Sequence, residues 1–358
     1  MTSRRSPQGD RPGEEPADAS APVLQIRDLE VTLPTRRGPL RAVAGVNWSV
    51  SRGETLALVG ESGSGKSMSV LAAAGLAPRS ARVSGSVALH GRELTELSDG
   101  ELRRVRGRKI GFVFQDPMST LNPVMRVGRQ VTEACVAHLG MSRRDARERA
   151  VELLDLVGIP SAADRAHQYP HQFSGGMRQR VVIAMALACD PDLLIADEPT
   201  TALDVTTQAQ IIELVSDLQQ RLHTAVVWIT HDLGVVAGIA DRVLVMYGGR
   251  IVEEGAVDDL FAAPAHPYTR ALLAARPRPD QERGRLPAIP GSPPNPLALP
   301  DGCAFWPRCP VRSDPRCESE LPPLREVGAG HLARTFCTVP SAGSPTSATA
   351  ARGGDDGE

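Results

Sequence analysis

The sequence predicts an α/β fold built around a phosphate-binding loop. Three observations carry that expectation. Short apolar runs alternate with helical patterns; the run TLALVG (55–60) leads directly into GESGSGKS (60–67); and a second run, DLLIADEP (192–199), ends in adjacent acids. The chain has 358 residues, 41% hydrophobic and 23% charged, enough to bury a full-sized core. Its formal charge of -2 lacks the positive excess of a nucleic-acid footprint, so no nucleic-acid partner is expected. No apolar stretch approaches the roughly 18 residues that cross a bilayer. The opening MTSRRSPQGDRPGEEPADASAP has no apolar segment of a secretory signal, which places the protein in the cytosol.

Residues 1–22 and 341–358 are rich in Pro, Gly, Ser and charge and are expected to be disordered tails. VLQIRDLEVTL and VNWSV read as strands, TLALVG as a buried strand, and a helix starts near Lys66. KIGFVFQD (109–116) is another strand. The character then turns helical, with VGRQVTEACVAHLG and SRRDARERAVELLDLVG, the latter capped by Ser142 with Asp145 in its first turn. Strands return at DLLIAD (192–197) and AVVWIT (225–230) around a helix over 207–222, and VLVMYGGRIVEEG (243–255) reads as two strands about a Gly-Gly turn. Beyond Pro264 prolines recur every few residues, with one helical patch at YTRALLAA. The segment 276–340 is expected to be loop-rich, held by something other than apolar burial.

The loop GESGSGKS fits G-x-x-x-x-G-K-[ST] between a strand and a helix. Backbone N–H groups of Gly60, Glu61, Ser62, Gly63, Ser64 and Gly65 can turn around phosphate oxygens; Lys66 reaches the β/γ-phosphates and Ser67 suits Mg²⁺. Of 40 basic residues only two are lysines, and one of them is Lys66, where a compact charge suits a phosphate pocket. The other, Lys109, is expected to be a solvated charge. Asp197, at the end of its strand, is placed to hold Mg²⁺, and Glu198 to orient or deprotonate an attacking water.

FSGGMRQR (173–180), together with Gln115, ALD (202–204) and His231, gives the chain a more specific character. With the phosphate loop and the paired acids, it resembles the nucleotide-binding subunit of an ATP-binding cassette (ABC) transporter over about 23–340. The resemblance implies a P-loop NTPase fold, an ABC nucleotide-binding domain with a helical subdomain and a loop-rich C-terminal Cys-containing extension. It implies that ATP and Mg²⁺ are bound, that Gln115 joins Ser67 and Asp197 at Mg²⁺, and that His231 contacts the γ-phosphate. Ser174, Gly175 and Gly176 would face the nucleotide of another subunit from a helix N-terminus. Met177 stands where the signature more often has glutamine. The family places an aromatic ring against adenine near 33–42, but LPTRRGPLRA has none, which leaves an aliphatic or arginine face.

FQDPMSTLNPVMRVG, HPYTRALLAARP and the stretch from IPGSPPNP to CAFWPRCP resemble more narrowly the oligopeptide/dipeptide importer ATPases. That resemblance implies domains at 23–263 (ATPase, helical subdomain about 120–175) and 264–340 (extension). It implies ATP-driven import of di- or oligopeptides by a subunit held peripherally at the cytoplasmic face of the membrane. The expected partners are two permeases, a second ATPase subunit and an extracytoplasmic substrate-binding protein, with residues 115–130 facing a permease. Nickel, glutathione or oligosaccharide cargo is the alternative. A soluble ABC ATPase of repair or translation is disfavoured, since only 107 residues separate Lys66 from Ser174 and there is one cassette.

Cys303, Cys309, Cys317 and Cys337 are separated by five, seven and nineteen residues, which matches neither zinc-ribbon nor ferredoxin spacing. The spacing supports four thiolates at one site. The resemblance implies a four-iron, four-sulfur cluster there, with zinc or unligated cysteines as alternatives. Cys135, Cys189 and Trp48 are expected in the core.

Overall fold

The computed structural model describes residues 21–201, 203–275 and 289–336. The two expected tails, save residues 21 and 22, therefore lie outside the described residues, as do 276–288, Ala202 and Cys337. The strands in chain order are β1 (Leu24–Thr35), β2 (Gly38–Val50), β3 (Thr55–Val59), β4 (Arg82–Leu89), β5 (Arg92–Glu93), β6 (Ile110–Val113), β7 (Leu193–Asp197), β8 (Ala225–Thr230), β9 (Arg242–Tyr247), β10 (Arg250–Ala256), β11 (Leu324–Gly328) and β12 (His331–Arg334).

They form an antiparallel sheet of order β2-β1-β4-β5 and a larger sheet of order β11-β12-β10-β9-β3-β8-β7-β6. Strands β6, β7, β8, β3 and β9 run parallel, so both their faces are covered and their sequences are continuous apolar runs; every residue of β3 and β8 is buried. One core, containing Trp48, Leu56 and Leu193, lies between the two sheets and the helix Lys66–Ala73. A second, with Cys135, Leu153 and Trp228, joins the other sheet face to the helical arm.

That arm comprises the helices Val127–Val131, Glu133–Leu139, Arg143–Leu156 and Gly175–Leu187. The single helical pattern expected over 127–140 breaks at Thr132, whose hydroxyl donates to the Gly128 carbonyl at 2.9 Å, an i−4 back-bond that competes with regular helix. Ser142 caps as expected, accepting from the Asp145 amide at 3.2 Å. Cys189 is buried in the turn that follows the helix Gly175–Leu187. Lys109 departs from its expectation of a solvated charge: its ammonium lies 3.1 Å from Asp192 in a half-buried pair.

The extension is built into the cassette. Its hairpin β11–β12 continues the main sheet through β10, pairing Glu253 with Ala333. The carboxylate of Glu253, wholly buried, accepts from the amides of Ala265 and His266 and pairs with His331 Nε2 at 2.8 Å. Phe305 is buried with its ring centroid 5.3 Å from both Tyr247 and Tyr268. Burying such a ring stabilises by about 2 kcal/mol. Apolar burial therefore does help to hold this segment, contrary to its proline-rich appearance.

Candidate functional site

The site forms where β3 and β7 end, at the carboxyl edge of the parallel strands, where an α/β sheet offers a crevice. Gly60 follows β3 with φ +150°, and a Cβ there would stand 2.2 Å from the Met246 carbonyl oxygen; at Gly65, with φ +103°, it would stand 2.4 Å from that of Ala42. Only glycine lets this loop lie so close to its neighbours. Lys66 opens the following helix and is 5% exposed, its ammonium donating to the carbonyls of Gly60 at 2.8 Å and Glu61 at 3.0 Å. Burial pulls its pKa down, opposed by the charges of Glu198, Asp197 and Glu61. A buried cation resting on two carbonyls is suited to an anionic ligand. Ser64 Oγ is buried without a hydrogen-bond partner, an orphaned polar atom inside the same loop. These features fit a bound phosphate.

Ser67 Oγ donates to Asp197 Oδ1 at 2.9 Å. Burial raises the Asp197 pKa, offset in part by that hydrogen bond. Glu198 has φ +47°, a left-handed conformation uncommon outside glycine, and its amide bonds to the Ile229 carbonyl of β8. Its carboxylate gathers three side chains: Gln115 Nε2 at 3.3 Å, Thr201 Oγ1 at 2.9 Å and His231 Nδ1 at 3.3 Å. Gln115, Glu198 and His231, far apart in sequence, thus converge. Thr201 has no signature of its own in the sequence; its place three residues after Glu198 in the turn is the available clue.

Ser174 caps the helix Gly175–Leu187, accepting from the Met177 amide at 3.3 Å. Among the described residues, Ser174, Gly175 and Gly176 have no hydrogen bond to the phosphate loop of their own chain; Gly175 and Gly176 instead face Leu203 and Thr207. Two residues of the stretches HPYTRALLAARP and CAFWPRCP, to which the sequence assigned no role at the loop, reach it: the Tyr268 hydroxyl accepts from the Glu61 amide at 2.9 Å, and Arg308 pairs with the Glu61 carboxylate at 2.7 Å.

The family described as ABC transporter matches residues 43–201, and that described as the oligopeptide/dipeptide transporter C-terminal region matches residues 252–317. The chain is similar to the oligopeptide transport ATP-binding protein OppD of Salmonella typhimurium, 52% identical over 317 residues, 88% of this chain and 94% of that protein. It is also similar to OppD of Escherichia coli, 51% identical over 91% of this chain and 95% of that one. The dipeptide transport ATP-binding protein DppD of Lactococcus lactis is 48% identical over 90% and 93%. Among solved structures, the dimeric post-hydrolysis state of an ATP-binding cassette bound to ADP and Pi superposes with a TM-score of 0.59 at 31% identity, covering 65% of this chain and 98% of that one.

The expectation of an iron–sulfur cluster, or of zinc in its place, is corrected. Among the described residues no group of three or more His, Cys, Asp or Glu is placed to hold a metal ion. Cys303 and Cys309 pack against the aromatic core around Phe305, and Cys317 is buried; the three border a small cavity shared with Arg312 and Arg334. The matching relatives are transport ATP-binding proteins, and the C-terminal family match ends at residue 317, before Cys337. The extension gains its order from the aromatic core, the Arg308–Glu61 pair and the β12 hairpin, a combination that proline-rich sequence concealed.

Proposed function

Because the chain belongs to the ATP-binding subunits of ABC transporters, with the C-terminal region of the oligopeptide/dipeptide branch, we propose that it couples ATP hydrolysis to the import of di- and oligopeptides. It is an ATPase that works with membrane permeases and a substrate-binding protein. The second ATPase is a different chain of the same kind, and the subunit sits peripherally on the cytoplasmic face. No helix among the described residues is long and apolar enough to cross a membrane. The observation that carries the reading is the convergence of Gln115, Thr201 and His231 on the Glu198 carboxylate, on the sheet edge that also holds Lys66.

Gly60 to Ser67 cradle the triphosphate through backbone amides, and Lys66 transfers from the two carbonyls to phosphate oxygens. Ser67, Asp197 and Gln115 are the residues that would hold Mg²⁺, which when bound screens the phosphate charge. Glu198 accepts a proton from the attacking water while Gln115 and Thr201 fix the carboxylate. His231 contacts the γ-phosphate and helps to hold that water in line. Ser174, Gly175 and Gly176 offer helix-terminal amides to the nucleotide of the partner ATPase, since they do not bond to their own loop.

Reconstitution with permeases, the partner ATPase and the binding protein in liposomes tests this reading. ATP-dependent uptake of labelled peptides is expected, lost in Lys66→Ala. Transport confined to nickel, glutathione or an oligosaccharide would overturn the cargo, and ATP turnover without any transport would overturn the role.

A further inference from the structure

The phosphate loop carries a second charge that ATP binding alone does not explain. Glu61 follows Gly60 directly, so its carboxylate belongs to the segment that must wrap a highly anionic ligand, and like charges at such range disfavour binding. Arg308 of the extension takes both oxygens: Nη1 donates to Oε2 at 2.7 Å and Nη2 to Oε1 at 3.0 Å, across 247 positions of sequence. The rest of the guanidinium is equally occupied. Nε donates to the Pro290 carbonyl at 2.9 Å, Nη1 also to the Tyr247 hydroxyl at 3.1 Å, and Nη2 also to the Ile289 carbonyl at 3.2 Å. All five N–H groups thus have acceptors, a planar fork that lysine cannot reproduce. The Arg308 side chain is 5% exposed. The Glu61 backbone is also held, its amide donating to the Tyr268 hydroxyl, and Tyr247 and Tyr268 pack with ring centroids 4.5 Å apart and their planes tilted by 51°.

Resting on the ATPase reading, we propose that Arg308 is a positioning residue for nucleotide binding: it pins the phosphate loop from behind and cancels the charge of Glu61, so that the extension sets the affinity for a nucleoside triphosphate. The effect is electrostatic as well as steric. Losing Arg308 alone frees a carboxylate beside the phosphates, whereas losing both partners removes the repulsion together with the clamp.

The experiment measures binding of a fluorescent ATP analogue with Mg²⁺ to the full chain and to Arg308→Met, Arg308→Lys and the double variant Glu61→Gln/Arg308→Met. Arg308→Met is expected to weaken binding by about tenfold or more, and Arg308→Lys by less, since the charge stays and the fork goes. The double variant is expected to bind at least about threefold more tightly than Arg308→Met, the sign that repulsion from Glu61 was the cause. A purely structural Arg308 gives a double variant as weak as the single or weaker, and that result overturns the proposal, as does unchanged affinity in Arg308→Met. If Arg308→Met does not fold, the comparison is made between Arg308→Lys and Glu61→Gln/Arg308→Lys: parental affinity in Arg308→Lys overturns the fork, and weaker binding relieved in the double variant supports it. A parental chain that binds no nucleotide, or a Lys66→Ala variant that binds as well as the parent, would instead fail the ATPase reading.

Discussion

Ser67 and Asp197, 130 positions apart in sequence, are joined by a 2.9 Å hydrogen bond from the serine hydroxyl to the aspartate carboxylate. The bond ties the first turn of the helix after the phosphate loop to the end of β7. It brings the two groups proposed for Mg²⁺ into one place before any metal arrives. Burial of the Asp197 carboxylate raises its pKa, the expected cost of holding an acid where a cation is to bind. Asp197→Asn can still accept from Ser67 but lacks the charge. The expected outcome is a drop in hydrolysis of roughly 10²-fold or more, with a higher Mg²⁺ concentration needed for half-maximal rate. A magnesium titration of turnover checks it. If Asp197 only buttressed Ser67, Asp197→Asn would hydrolyse like the parent.

Glu198 is the second charge at this edge, and its partners suit a base more than a ligand. Thr201 Oγ1, Gln115 Nε2 and His231 Nδ1 all approach the same oxygen, Oε2, at 2.9 Å, 3.3 Å and 3.3 Å, which fixes the carboxylate through one oxygen. Glu198→Gln should keep nucleotide affinity within about threefold while turnover falls by ~10²-fold or more, the span of a lost general base. Equilibrium binding and steady-state hydrolysis on the same preparation separate the two effects. Turnover near the parental rate would remove Glu198 from the chemistry.

The signature supplies a third expectation. Ser174 bonds within its own helix, and its neighbours face Leu203 and Thr207, so a shared site between subunits is the arrangement open to it. Ser174→Arg should leave ATP binding by the isolated chain intact and abolish the rise in hydrolysis that a partner ATPase and permeases produce. Parental turnover by a strictly monomeric chain, verified by ultracentrifugation, would defeat the shared-site arrangement.

The parts of the fold that were legible in sequence are those where one local rule dominates. The buried parallel strands β3 and β8 are unbroken apolar runs, and the loop before Lys66 has glycines that no other residue could replace. Family resemblance singled out Gln115 and His231, but their convergence on Glu198 was not anticipated, because three-dimensional proximity leaves no spacing to read. What escaped was long-range: Arg308 lies in the quoted stretch CAFWPRCP, but nothing in that stretch shows that its fork closes on Glu61, 247 positions away. The hairpin β11–β12 had a signal in VGAGH, with Gly330 at φ +67°, but its setting among prolines hid it. Four cysteines in a polar, proline-rich segment suggested a metal staple; the aromatic side chains that order the segment are spread over Tyr247, Tyr268 and Phe305 and form a core only after folding.

His266 gives the extension a pH dependence that can be measured. The ring is buried, caps the helix Pro267–Ala274 by accepting from the Tyr268 amide at Nδ1, 3.1 Å away, and lies 6.0 Å from the Phe305 ring. Desolvation lowers its pKa to about 4, only partly opposed by Glu253, with Arg334 and Arg270 acting in the same direction as burial. The unfolded chain titrates near 6.5, so between about pH 6.5 and 4 the unfolded state binds a proton that the folded state refuses. The sign follows: stability from this residue is fully present above pH ~6.5 and is lost as pH falls towards 4, by up to about 3 kcal/mol. Asn at this position can still cap the helix but cannot titrate. In urea unfolding of the full chain, the advantage of the parent over His266→Asn at about pH 7 should shrink or reverse by about pH 4.5. A stability difference that stays constant across that window would show that the folded and unfolded chains bind this proton alike, and the assignment of this pH dependence to His266 would fail.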